Sequence, residues 1–131
     1  YFAYEVTEYK KTGELNGHGH PFVTAKQMRV VTFPVFLEGP TRMMKTVDNT
    51  RDAQAIYDFV KNKSGLRDEE LSMYTVSANI QGQTIDIGRT AALPPGWAEN
   101  QGIWLHMSYK FYLELLRHKL YEQFFEEATT G

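Results

Sequence analysis

The run Pro94-Pro95-Gly96-Trp97-Ala98-Glu99-Asn100-Gln101-Gly102-Ile103-Trp104-Leu105-His106 sets a carboxylate, an amide, an imidazole and two indoles around a Gly turn that leads into an apolar stretch of helical period. That set of groups suits a sugar and an anion. Glu99 can accept hydrogen bonds from neighbouring hydroxyls, Asn100 can both donate and accept, and Trp97 and Trp104 offer flat apolar faces to a pyranose ring. His106 can donate to an oxyanion. Arg89, ten residues before Glu99, can fold back over the same pocket with a guanidinium matched to carboxylate or phosphate. The structural alternative is a Pro-Gly loop that caps a core helix, with Glu99 placed where the helix dipole favours negative charge.

The stretch from Glu99 to His106 reads Glu-Asn-Gln-Gly-Ile-Trp-Leu-His and resembles the Glu-Asn-Gly-Gly-Ile-Phe-x-His element of the cellobiose and chitobiose phosphorylases. These are inverting enzymes of carbohydrate metabolism built on an (α/α)6 barrel. The resemblance implies that Glu99 holds the donor sugar and His106 contacts phosphate, with Trp97 or Asn100 shaping the pocket; Arg89, by its spacing alone, is a further candidate substrate-binding residue. It implies inverting phosphorolysis of a β-linked disaccharide, a glycosyltransferase-type reaction with inorganic phosphate as co-substrate and no cofactor. Phosphate attacks the anomeric carbon from the face opposite the leaving oxygen, so no general base is required. Two positions depart from the family pattern: its usual Lys before the Glu is Ala98, and its first motif Gly is Gln101. The family's general acid is an Asp that follows an aromatic residue well upstream. None stands in that context here, so no catalytic residue is assigned. Asp86 and Glu38 are the acids that the sequence offers as partners for Glu99. The close match covers Pro95 to His106, with a looser continuation to Glu127. Phe33 to Pro40 and Leu71 to Tyr74 resemble segments of large cellobiose phosphorylase-like proteins, and they carry no transferable role.

The elements that must position these groups read as α+β. Phe2, Tyr4 and Val6 alternate with Glu5 and Thr7 until Lys11-Thr12-Gly13 breaks the pattern, and Phe22 to Leu37 is strand-like with Pro34 at an edge or bulge. Asp48-Asn49-Thr50 offers N-caps for a helix through Ala53, Ile56, Tyr57 and Val60, ending at Ser64-Gly65. Met73 to Ile80 reads as a strand, Gln81-Gly82-Gln83 as a hairpin turn, and Thr84 to Ile87 as its return. Ile103 to Leu120 reads as one long helix, apolar on more than one side, so Phe111, Leu115, Phe124 and Phe125 are expected to seek neighbours beyond this chain. The expected organisation is 1–93, β-hairpins with one helix, then 94–131, a loop and the long helix of a helical barrel bearing a β-rich insertion.

With 131 residues, the chain suffices for one core but not for an (α/α)6 barrel with accessory domains, so the resemblance implies a piece of a larger protein. Tyr1 in place of an initiator Met agrees with that expectation. Fourteen basic against sixteen acidic residues, scattered, argue against nucleic acid or an anionic membrane as partner. The expected partners are the sugar, phosphate and the rest of the parent chain, with a homodimer allowed. Absence of Cys excludes disulfides and thiolate metal sites and fits a cytoplasmic location. His18-Gly19-His20 has chelating spacing but no acidic partner nearby, so no metal site is expected. A self-contained α+β module that binds a ligand or protein without catalysis is the competing reading.

Overall fold

The structure, a computed structural model, describes residues 2–83 and 85–130, the side chains of 85 and 86 excepted. The chain is α+β and separates into two units, Tyr1–Phe33 and Pro34–Gly131. The division falls where strand alternation gives way to Pro34, and Leu93-Pro94, the boundary expected from sequence, lies inside the second unit.

The first unit is an antiparallel ribbon of β1 (Phe2–Leu15) and β2 (Pro21–Thr32). At its tip the Asn16 side-chain oxygen accepts from the backbone N–H of His18 at 2.9 Å and of His20 at 3.0 Å, which folds the His-Gly-His stretch into a turn. Among the described residues, no group of three or more His, Asp or Glu is placed to hold a metal ion. The break expected at Lys11-Thr12-Gly13 does not end the strand, because Gly13 takes φ +90° and pairing resumes at Leu15 opposite Pro21. The strand expected to reach Leu37 stops at Thr32, and Leu37 instead precedes a helix.

The second unit contains α1 (Glu38–Met44), α2 (Thr50–Asn62), α3 (Leu105–Arg117) and α4 (Tyr121–Thr130), with the short pair β3 (Arg67–Asp68) and β4 (Met73–Tyr74). Gly39-Pro40 therefore lies in the first turn of α1, where a missing N–H costs nothing. Asn49 caps α2: its side-chain oxygen accepts from the Asp52 N–H at 2.9 Å, and its amide donates to the Asp52 carboxylate at 2.9 Å. Leu37, Met44, Ile56, Tyr57, Val60, Tyr74, Phe111 and Leu115 form the core. Phe111 and Leu115, expected to need outside neighbours, are fully buried here, because α1, α2 and Tyr74 already cover that stripe. Phe124 packs on the same core, and Phe125 stays 61% exposed.

The long helix is shorter than its apolar pattern. It starts at Leu105 and ends at Arg117, because Lys119 turns left-handed at φ +61° and the Leu120 N–H folds back to the Leu115 carbonyl at 2.9 Å. That ending is a Schellman closure with Lys where Gly is usual. The return strand expected at Thr84 to Ile87 is replaced by tight helical turns over Ile85–Ala92, kinked at Gly88 (φ +79°), and Thr84 lies outside the described residues.

The closure after α3 aims α4 back so that Glu127 enters the core, 0% exposed. Its carboxylate accepts from the Tyr57 hydroxyl at 2.7 Å and pairs with Lys61 and Arg67, each at 3.4 Å. A buried charge persists only when so partnered. The Tyr74 hydroxyl is buried without a hydrogen-bond partner among the described residues. Burial, and secondly the Glu127 charge, push the Tyr74 hydroxyl far above the usual phenol range. Replacing Tyr57 by Phe should cost about 1.5–3 kcal/mol, the worth of a hydrogen bond to a charged group, whereas Tyr74→Phe, which removes a buried hydroxyl without a partner, should cause no loss of stability. Urea unfolding of the two variants checks this contrast, and a larger loss for Tyr74→Phe would contradict it.

Candidate functional site

The loop before α3 is built on the extended stretch that follows β4. The Thr75 N–H donates to the Leu66 carbonyl at 2.8 Å, Val76 to Gly102 at 2.7 Å and Ala78 to Val35 at 2.8 Å. Val76 in turn accepts from the Leu37 N–H at 3.0 Å. Ser77, fully buried, then grips the loop from beneath: its hydroxyl donates to the Glu99 carbonyl at 2.7 Å and accepts from the Gln101 N–H at 3.2 Å. Ser77 belongs to no motif, and its only signal in the sequence is a small polar residue within the strand-like run Met73 to Ile80.

Inside the loop, the chain reverses between Trp97 and Asn100, with the Asn100 N–H donating to the Trp97 carbonyl at 2.9 Å and Gly96 donating to the Asn100 carbonyl at 2.8 Å. Ala98 and Gln101 both take positive φ, +46° and +58°. Gly102 is required sterically rather than by its φ. A Cβ there would stand 2.1 Å from the Ala98 carbonyl oxygen.

These constraints sort the expected sugar ligands. Asn100, 1% exposed, spends its side chain on the backbone: its oxygen accepts from the Ile80 N–H at 3.3 Å and its amide donates to the Leu93 carbonyl at 2.8 Å. It is a clamp beneath the site rather than a group offered to a ligand. Trp97 is 65% exposed on the turn. Arg89 does fold back onto Glu99, its guanidinium donating to the carboxylate at 2.5 Å. The guanidinium hydrogen bond holds the Glu99 carboxyl below the usual carboxylate range. His106 is exposed in the first turn of α3, and its ring lies 5.5 Å from that of Trp104. That turn contains no acidic residue to offset the positive end of the helix.

Of the acids considered as partners for Glu99, Glu38 accepts from Arg42 at 2.6 Å across one turn of α1, and the Asp86 side chain lies outside the described residues. His118, on the far end of α3, bonds the Met44 carbonyl through Nε2 at 2.7 Å, a structural tie between α3 and α1. A cavity of 380 Å³ is lined by Met73, Leu105, Tyr109, Leu113, Phe124 and Glu127, among others, and by none of Trp97, Glu99 and Arg89.

No protein-family model matches this chain, and neither a curated protein nor a solved structure is significantly similar to it.

Two outcomes test the loop. Asn100→Ala leaves a buried N–H and carbonyl unpaired, and Gly102→Ala drives a methyl into backbone, so each should cost about 1–3 kcal/mol. Calorimetric melting of both variants against Glu99→Gln, whose pair is exposed on the Arg89 side, checks the order. The Glu99 titration gives the second. A depressed carboxyl keeps its pair with Arg89 above the ordinary carboxylate pKa and loses it only as pH falls through the depressed value. Carboxyl carbon NMR shifts should place the Glu99 midpoint below the ordinary carboxylate range, and Arg89→Met should return it to that range.

Proposed function

We propose that this chain is part of a carbohydrate-active enzyme similar to the cellobiose and chitobiose phosphorylases, carrying out inverting phosphorolysis of a β-linked disaccharide. The observation that carries this reading is the Arg89–Glu99 pair on the same loop as the exposed Trp97, two residues from Glu99, with the loop fixed from beneath by Ser77 and Asn100. An apolar ring face next to a charged donor and acceptor is the combination that a sugar demands: the indole covers the C–H face of the ring and the polar pair reads its hydroxyls. Glu99 holds the donor sugar in this reading. His106, on an uncapped helix start with no acid in its first turn, positions phosphate, which the amides of a helix N-terminus also favour. The proton donor to the glycosidic oxygen comes from elsewhere in the parent protein, and this chain alone is inactive.

A second reading rests on the largely apolar 380 Å³ cavity between α3 and α4, with Glu127 in its wall, which would serve a self-contained binding module for a ligand. Titrating the chain with cellobiose or chitobiose in phosphate, followed by tryptophan emission, separates the two. Sugar binding should saturate, vanish in Trp97→Ala, and weaken about tenfold or more in Glu99→Gln, as loss of a charge-assisted hydrogen bond requires. His106→Ala should abolish only the dependence on phosphate. No emission change with either disaccharide would contradict the sugar-site reading.

A further inference from the structure

The ribbon of β1 and β2 exposes one apolar face. Thr7 on β1 and Lys26 on β2 have no register partner, so each strand carries one extra residue at the same level. Each extra residue shifts the inward–outward alternation by one step. Apolar residues sit at even positions before the shift in β1 (Phe2, Tyr4, Val6) and at an odd one after it (Tyr9). In β2 they run Val23, Ala25, then Met28, Val30. The paired bulges thus keep all eight on one face, while the ion pairs Glu5–Arg29 at 2.6 Å and Glu8–Lys26 at 3.7 Å occupy the other. Seven of the eight, all but Ala25, are 43–63% exposed. A two-stranded ribbon without a covered face is marginal in water.

We propose that this face is the interface between two copies of the chain, stacked face to face and antiparallel about a twofold axis at Val6 and Met28. The face is self-complementary about that point. With Thr7 set aside, Phe2 lies four positions before Val6 and Lys11 four after it, while Tyr4 lies two before and Tyr9 two after. A twofold axis across the ribbon therefore sets Val6 on its own copy, Tyr4 on the copy's Tyr9, and the one cation of the face, Lys11, on the copy's Phe2 ring, which already packs perpendicular to the Tyr4 ring with centroids 5.8 Å apart. On β2 it sets Met28 on itself and the larger Val30 on the small Ala25. The exposed apolar side chains amount to roughly 500–700 Å² per copy, so a pair buries about 1,000 Å² or more, the size that a specific interface needs. Pairing through strand edges is disfavoured by the same bulges, which break the row of free backbone groups on both edges. The face, not the edge, is left for association.

Sedimentation equilibrium of the chain should show a monomer–dimer equilibrium. Val6→Glu, which opposes two carboxylates at the axis, should raise the dimer dissociation constant at least tenfold. Phe125→Ser, on α4, should leave it unchanged. The register is tested separately, because the chain has no Cys of its own. Val6→Cys should cross-link to itself with a short bismaleimide. Tyr4→Cys should cross-link only when mixed with Tyr9→Cys, since two copies of Tyr4 stand about 13 Å apart along the ribbon, at ~3.3 Å per residue. The cross-linking does not depend on Val6→Glu folding. A monomer at all concentrations, a dimer indifferent to Val6→Glu in a folded variant, or self-linking of Tyr4→Cys in place of the mixed product would each overturn the proposal.

Discussion

The second unit depends on backbone hydrogen bonding by one extended stretch, Thr75 to Ala78. Its amides and carbonyls join Leu66, Leu37, Val35 and Gly102, four points spread along the chain from before α1 to the start of α3. A buried peptide group left unpaired costs more than a paired one gains, so the register of this stretch fixes where each neighbour must lie. Ser77 extends that control to the loop above. By bonding the Glu99 carbonyl and the Gln101 N–H, it transfers the rigidity of the core to a segment with little apolar surface of its own.

The same logic explains why the polar loop can be both irregular and fixed. Two non-glycine residues at positive φ are strained locally, and the strain is held by Asn100, whose amide closes the loop from within. Burial of Asn100 leaves the outward side of the loop to Trp97, Glu99 and Arg89. The groups that hold the loop and the groups it presents are different residues, although they alternate along a few positions of sequence.

Glu127 plays the corresponding part at the other end of the unit. Its carboxylate draws Tyr57 from α2, Lys61 from the next turn of α2 and Arg67 from β3 around the end of α4. Such a cluster adds little net energy after desolvation, yet it admits few alternative arrangements. It fixes the angle at which α4 returns after the left-handed turn at Lys119.

The sequence by itself determined the mixed α+β class, the presence though not the ends of the two ribbon strands, the capped α2 and the apolar stripe of α3, because each rests on local periodicity or on a cap within a few residues. It also marked Trp97, Glu99 and His106 as candidate chemistry near a helix start, and put Arg89 within reach of the same pocket. Tertiary structure decided the rest. Asn100 looks like a ligand in sequence and is a clamp in space, because whether an amide faces solvent depends on Ile80 and Leu93. Phe111 and Leu115 look in need of outside neighbours and are covered by α1 and α2, since a stripe shows which face is apolar and not what lies against it. Gly102 looks like a turn residue and is there for a 2.1 Å approach of backbone to backbone. Contacts between residues remote in sequence have no local periodicity, so their partners emerge only once the chain has closed on itself.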